Sequence, residues 1–373
     1  MNRFLRHIFL SAVTVLMAVV ANAQEDTKLL LGVNFDTFFD NTEYSKTQLG
    51  WSGTLFSARL APKIGVEWNE KNALIIGADL FADFGDETKF LSKARPQLYY
   101  RFSTPKVKAY AGIFDRSAME GYYSELFFSD AYRYYENRVQ GALGQYVAER
   151  GYVEMSIDWC GMYSAEERER FRILSAGQYN IGRRELFYVG YAAQMFHFAG
   201  SQEITGSVVD NAIINPYVGA KFNAFFDFDI KLHGILTMQR DRAVEDKMHK
   251  SGGALFQLRL SKWGVYLDEQ IYTGSNLMPY YYAAPNEIFA NGYGSELYAG
   301  STLFGTKPYW QGDKQTTNTF FDTRIGYQNS FFNDTVRLNA FFAFQSDGRE
   351  LGSRQMLQLT VNLFNDISLT KKR

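Results

Sequence analysis

The chain has 373 residues, a formal net charge of -1, one cysteine, 46% hydrophobic and 17% aromatic residues, and a mean hydropathy of only -0.26. No segment after residue 23 offers the roughly 20 consecutive apolar residues of a membrane-spanning helix, so a polytopic helical membrane protein is excluded. The lone Cys160 excludes an intramolecular disulfide framework and a thiolate zinc site. Near-neutral charge without a basic run argues against nucleic acid, and no cofactor is expected.

The first 23 residues form a separate device. Arg3 and Arg6 make a basic start, Ile8 to Val20 an uncharged apolar run, and Ala21-Asn22-Ala23 a small-x-small cleavage site before Gln24. Together they read as a secretory signal peptide. Its removal leaves 37 basic against 40 acidic residues. No cysteine follows the cleavage site, which argues against lipid anchoring.

The next elements are strands. Phe56, Ala58, Leu60, Pro62, Ile64, Val66 and Trp68 alternate with Ser57, Arg59, Ala61, Lys63, Gly65 and Glu67, a period of two. Thirteen residues at about 3.4 Å make roughly 44 Å, which tilted by about 40° stands some 34 Å tall, the dimension of a bilayer. The same signature recurs at 74–84, 226–239 and 336–345, and more weakly at 29–39, 95–102, 107–115, 138–147, 152–159, 170–179, 186–198, 213–222, 253–261, 265–273, 317–328 and 354–364. That makes sixteen segments. Glu269 falls on the apolar face of its segment and conflicts with the assigned register.

Connection lengths alternate. Short ones lie at 69–72, 103–106, 148–151, 180–185, 223–224, 262–264 and 329–334; longer ones at 40–54, 85–94, 116–137, 160–169, 199–212, 240–252, 274–316 and 347–353. Short periplasmic turns alternating with long external loops are the pattern of a transmembrane barrel, and an even strand number places both termini in the periplasm. Phe56 and Trp68 bracket one strand, and Trp51, Tyr110, Trp159, Tyr179, Trp263 and Tyr327 lie near strand ends. Headgroup contact and ordinary core packing are the two readings of these rings.

On these features the chain resembles the outer-membrane β-barrels of Gram-negative bacteria, in particular sixteen-stranded porins. The resemblance implies an all-β, antiparallel up-and-down transmembrane barrel over residues 24–373, in contact with the outer-membrane bilayer, inserted by the barrel-assembly machinery and trimeric by analogy. Such barrels usually finish on an aromatic residue, whereas here Phe364 is followed by nine more residues and is out of phase with Leu357, Leu359, Val361 and Leu363.

The lumen of a sixteen-stranded barrel is too wide for side chains to fill. Strand-like alternation begins by Leu29, which leaves no room for an N-terminal plug, so loops are expected to constrict it. Segment 116–137 joins the fifth and sixth strands, the place from which the constriction loop of porins enters the barrel, although the Pro-Glu-Phe-Gly-Gly motif of that loop is missing. Asp115, Glu120, Glu125, Asp130 and Glu136 are its candidate constriction residues, set against basic wall residues to give a transverse field. The other reading is an external loop with solvated charges.

Alternation nominates Arg59, Lys63, Asp79, Asp83, Arg101, Arg172, Lys231, Arg259, Arg324 and Arg337 as pore-lining. Charges of both signs are balanced there, so no strong ion selectivity is expected. The segment 274–316 carries Tyr280-Tyr281-Tyr282, Phe289, Tyr293, Tyr298, Phe304, Tyr309 and Trp310, read either as a rigid mini-core or as a surface for ligands. The leading expectation is a porin-like channel for passive diffusion of small polar solutes, without enzymatic activity. The alternatives are a closed barrel serving in surface binding or assembly, and an outer-membrane hydrolase.

The hydrolase alternative rests on His249-Lys250-Ser251, which resembles the His-x-Ser of outer-membrane lipid A deacylases, barrels much smaller than this one. Asp83, Asp86 and Glu87 offer hard oxygen donors but lack the spacing of a calcium motif, so no metal is expected. Gly292-Tyr293-Gly294 lacks the third glycine and following helix of a phosphate loop.

Overall fold

The computed structural model describes residues 27–44, 52–182, 184–203, 208–243, 246–280, 296–305, 310–311, 314–315, 318–348 and 350–368. Sixteen strands form one closed antiparallel barrel. They are β1 (Lys28–Glu43), β2 (Gly53–Trp68), β3 (Asn72–Asp83), β4 (Lys93–Ser103), β5 (Val107–Asp115), β6 (Arg138–Ala148), β7 (Gly151–Gly161) and β8 (Arg170–Ile181). The second half comprises β9 (Phe187–Phe198), β10 (Val209–Asn223), β11 (Asp227–Asp241), β12 (His249–Lys262), β13 (Val265–Gly274), β14 (Asn318–Phe331), β15 (Val336–Ser346) and β16 (Leu351–Ser368). Each pairs with its neighbours in the chain, and β1 closes on β16 from Lys28↔Ser368 to Glu43↔Ser353.

Side-chain alternation sorts each strand into two faces. On β2, Ser57, Arg59 and Ala61 are buried, while Phe56 and Leu60 on the other parity are 44% and 41% exposed. Leu98, Met155, Val218, Leu232, Ile271 and Ile325 are also exposed, whereas Asp79 and Asp322 are wholly buried. Apolar outside and polar inside inverts a soluble protein and suits a wall with hydrocarbon on one side. Closure satisfies the ladder donors and acceptors without an edge. Among the described residues no helix is long and apolar enough to cross a membrane.

The short connections are tight turns. Asn69 and Glu70 have φ of 50° and 53°, and Trp263 and Gly264 have 55° and 86°; left-handed pairs match the twist of antiparallel strands. Trp263, Tyr179 and Trp159 point outward near strand ends, with exposures of 84%, 54% and 40%. Tyr110 instead faces inward, packed with Tyr99 and Phe114, because its parity on β5 is that of Lys108 and Gly112. Trp51 lies outside the described residues.

Two register conflicts are resolved by the ladders. Glu269 pairs with Leu258 and Thr323 and does lie on the outward face, its Oε2 accepting from Thr323 Oγ1 at 2.5 Å. The strand keeps its register and tolerates the carboxylate. β16 likewise continues past Leu363, with Phe364 opposite Gly32 on β1. Several strands run beyond the bounds that alternation gives, most clearly β10, which begins at Val209, and β1, which reaches Glu43.

Candidate functional site: the lumen and its inserted loops

The lumen is occupied by two segments that leave the wall. The first follows Asp115, whose carboxylate Oδ1 accepts from Ser117 N at 2.8 Å and caps a 3-10 turn, Arg116–Ala118. Ser129 then caps a short helix α1 (Asp130–Tyr135), its Oγ accepting from Tyr132 N at 3.1 Å. At the root of the segment Gly112, with φ 123°, pairs with Gly141. A side chain at Gly112 would strike the Leu98 carbonyl, so only glycine fits this bend.

Leu126, Phe127 and Phe128 are buried in one cluster with Leu277, Met278, Leu303 and Phe304 of the second segment and with wall residues Leu174, Ile213 and Leu255. Ser129 N donates to Ala299 O at 2.9 Å and Ser301 N to Glu125 O at 2.7 Å, so the two segments are bonded to each other. Thr237 Oγ1 on β11 donates to Leu277 O at 2.7 Å. Within 274–316, Tyr280, Tyr298 and Phe304 are buried; Tyr281, Tyr282, Phe289, Tyr293, Tyr309 and the Gly292–Gly294 stretch lie outside the described residues.

Ion pairs fix the first segment to the wall. Arg59 bonds Asp36 at 2.8 Å, Asp79 at 2.5 Å and Asp115 at 2.8 Å, with Lys63 3.8 Å from Asp115. Arg324 grips Glu125 at 2.5 Å and Asp322 at 2.5 Å, and Asp130 lies 3.8 Å from it. Asp130 is 3.0 Å from Arg354, which is bidentate to Asp40 at 2.7 and 2.9 Å. Glu136 pairs with Lys93 at 3.0 Å and Arg95 at 2.5 Å, and Glu120 with Lys108.

Burial pushes the Glu125 carboxyl above the usual range, more than Arg324 pulls it down. Burial acts on Asp130 in the same sense, but Arg354 and Arg324 together outweigh it and hold Asp130 below its usual value.

All ten nominated wall residues have lumen-facing parity, yet they seldom stand free. Arg101 bonds Glu67 at 2.8 Å, Lys231 bonds Asp229 at 2.8 Å and Arg259 bonds Asp268 at 2.8 Å. Tyr135 OH donates to Asp83 at 3.4 Å, and Arg172 lies against Phe128 and Phe196. Arg337 borders a polar cavity of about 360 Å³ with Asp36, Arg59, Asp115, Thr360 and Asn362. A second cavity, about 330 Å³, is bordered by Tyr122, Glu125, Lys231, Gln257, Arg259 and Arg324. Beside it His233 Nε2 lies 2.9 Å from Gln257 Oε1, which also accepts from Tyr122 OH at 2.7 Å.

Asp36, Asp40, Arg95 and Arg354 were not legible as site residues. Parity with Asn34 and Phe38 marks Asp36 as inward, but nothing in one strand says that its partner is Arg59. The His249-Lys250-Ser251 stretch begins β12 at the long-loop end. His249 and Ser251 share the inward parity, opposite Gln239 and Thr237; Ser251 Oγ is buried without a partner. Among the described residues no hydrogen bond joins the pair and no carboxylate is bonded to His249. Asp86 Oδ1 accepts from Thr88 N at 2.9 Å, and no group of three metal-ligating side chains occurs among the described residues.

A closed sixteen-stranded wall, apolar outside and charged within, with loops folded into the lumen, defines an outer-membrane β-barrel of porin architecture. The chain belongs to the Lipid A 3'-O-deacylase-type family, whose sequence profile matches residues 21–371. The expectation of a chain outside any enzyme class is thereby corrected, because this family is named for an enzyme. Comparison with curated proteins gives no match by sequence.

Among solved structures the fold is similar to OmpTdeltaL8, a loop L8 deletion mutant of an outer membrane protein of Vibrio cholerae (10% identity, TM-score 0.53, 91% of this chain and 100% of that one). It is also similar to Acinetobacter baumannii OccAB3 (8%, 0.51, 91% and 100%) and to Pseudomonas aeruginosa OpdO (8%, 0.51, 91% and 98%). These likenesses concern the fold.

Proposed function

We propose that the protein is an outer-membrane channel in which small polar solutes pass through a lumen narrowed by residues 116–137. One observation carries this reading: the segment is tied to nearly opposite walls, by Arg116 to Asp158 on β7 and by Glu125 to Arg324 on β14, seven strands apart in a ring of sixteen. The two polar cavities beside it, about 360 and 330 Å³, are of a size for small hydrophilic molecules. On this reading residues 1–23 are the export signal and both termini face the periplasm. The partners are the bilayer, the barrel-assembly machinery and, in a trimer, two further copies. Single-channel recording in planar bilayers is the test. Discrete steps above background are expected, and their absence with correctly folded protein refutes an open pore.

A second reading, ester hydrolysis on lipid A, is favoured by the family match over residues 21–371. Mass spectrometry of lipid A from membranes with and without the protein tests it. Acyl loss that His249→Ala abolishes assigns the chemistry to the His-x-Ser pair; acyl loss that survives assigns it elsewhere.

A further inference from the structure

Arg116 and Arg172 meet behind the inserted loop, where β7, β8 and β9 form the wall. Both are more than nine-tenths buried, with exposures of 6% and 5%. Arg116 Cζ lies 4.6 Å from the Phe128 ring centre and 5.5 Å from that of Tyr132. Arg172 Cζ lies 5.6 and 5.1 Å from the same two rings, and 5.2 Å from Phe196. Ring faces satisfy the flat sides of a guanidinium. Its N–H groups lie in the plane and still need acceptors.

Only one carboxylate is at hand, and it is already engaged. Asp158, directly cross-strand from Arg172, accepts from Arg116 Nη2 at 2.7 Å through Oδ2 and from Gln140 N at 3.0 Å through Oδ1. Arg172 forms no ion pair with a carboxylate among the described residues. Its Nε and Nη1, together with Arg116 Nη1, are buried without an acceptor, and so is Ser156 Oγ on the same face of β7. Elsewhere in the lumen the balance is reversed: Arg59 meets three carboxylates and Arg324 another three. A buried positive charge left uncompensated is strongly unfavourable.

We propose that this seam is a binding site for one small monovalent anion, a halide or a small carboxylate, held between Arg116 and Arg172. One surplus positive charge calls for one negative charge. The enclosing rings of Phe128, Tyr132 and Phe196 restrict the guest to a few heavy atoms. Arg116 and Phe128 also border the cavity of about 360 Å³, whereas Arg172, Tyr132 and Phe196 border neither polar cavity, and binding here does not depend on solute passage.

The test is thermal unfolding of the purified full-length protein in detergent with sodium chloride, bromide, formate or gluconate at one ionic strength. At least one of the three small anions is expected to raise Tm by about 2 °C or more over gluconate, which is too large to enter. Response to formate alone identifies a carboxylate site; response to chloride and bromide identifies a halide site. Arg172→Gln removes the difference, while Lys247→Gln, the same charge change at an exposed position, retains it. If Arg172→Gln does not fold, crystals of the wild-type protein grown in bromide and in formate decide. An anomalous bromide peak, or formate density, hydrogen bonded to Arg172 and Arg116 supports the site. Equal Tm in all four salts, or only water between the two guanidiniums, overturns it. Conductance is not read, so a silent channel leaves the outcome unaffected.

Discussion

Replacing Arg324 by methionine should undock the inserted loop while leaving the barrel closed. Arg324 is buried and is the only ion-pair partner of both Glu125 and Asp322 among the described residues; Asp130 keeps Arg354. Removing one member of a buried pair costs about 3–5 kcal/mol. Protonation sets a ceiling on the Glu125 share. Taking up a proton at pH 7 against an ordinary value of 4.5 costs about 3.4 kcal/mol, since one pKa unit is about 1.36 kcal/mol. That corresponds to roughly a 300-fold rise in the undocked population. Hydrogen exchange reads it directly. The amides of Arg133 and Glu136, bonded to Ser129 O at 2.9 Å and Tyr132 O at 2.8 Å, should lose about that factor of protection, while ladder amides of β10 and β11 keep theirs. A loss under tenfold in the loop, or an equal loss in the strands, refutes the view that this guanidinium holds the loop in place.

Acidity should act on the same anchor in two opposed steps. Glu125, raised above its ordinary 4.5, contributes stability that grows as pH falls from 7 and is complete below 4.5; Asp130, held below 3.8, contributes stability lost as pH falls beneath that value. Thermal unfolding should therefore peak between about pH 4 and 5, Glu125→Gln should flatten the rise, and a monotonic fall from pH 7 in the wild type refutes the assignment. Glu269→Leu removes an outward carboxylate and should stabilise the barrel in liposomes by about 1 kcal/mol in denaturant titration; a loss of stability implies that Glu269 meets a donor beyond Thr323. Gly112→Ala forces a side chain against the Leu98 carbonyl at φ 123° and should cost about 2 kcal/mol or more, read as a lower temperature for loss of the folded band in cold-loaded gels.

How much of this was legible in one dimension can be seen residue by residue. The period-two run from Phe56 to Trp68 faces a wall with only two sides, and hydrocarbon accepts only one kind of side chain. Local order therefore specifies which residues point out, as Leu60 and Ile64 do, and which point in, as Arg59 and Lys63 do. Turn and loop lengths specify the antiparallel path, because a link of two to six residues can join only adjacent strands. Glu269 misled for the same reason: a single polar residue on an apolar face breaks the pattern without breaking the ladder.

The contents of the lumen were of another kind. Asp130 reaches Arg354, 224 positions along, and Glu125 reaches Arg324, 199 positions along, and no periodicity encodes which strand faces a loop across a closed ring. Loop acids set against basic wall residues suggested a transverse field across a pore, but folding converts most of these charges into direct pairs, because a carboxylate leaving water needs a donor within hydrogen-bond reach. What the sequence determined by itself was the wall: strand number, facing and connectivity, all set by local alternation and chain length. Which acids the arginines neutralise, how the two long loops pack against each other, and why Arg116 and Arg172 are left with one carboxylate between them were decided only when closure of the barrel brought distant strands around a common interior.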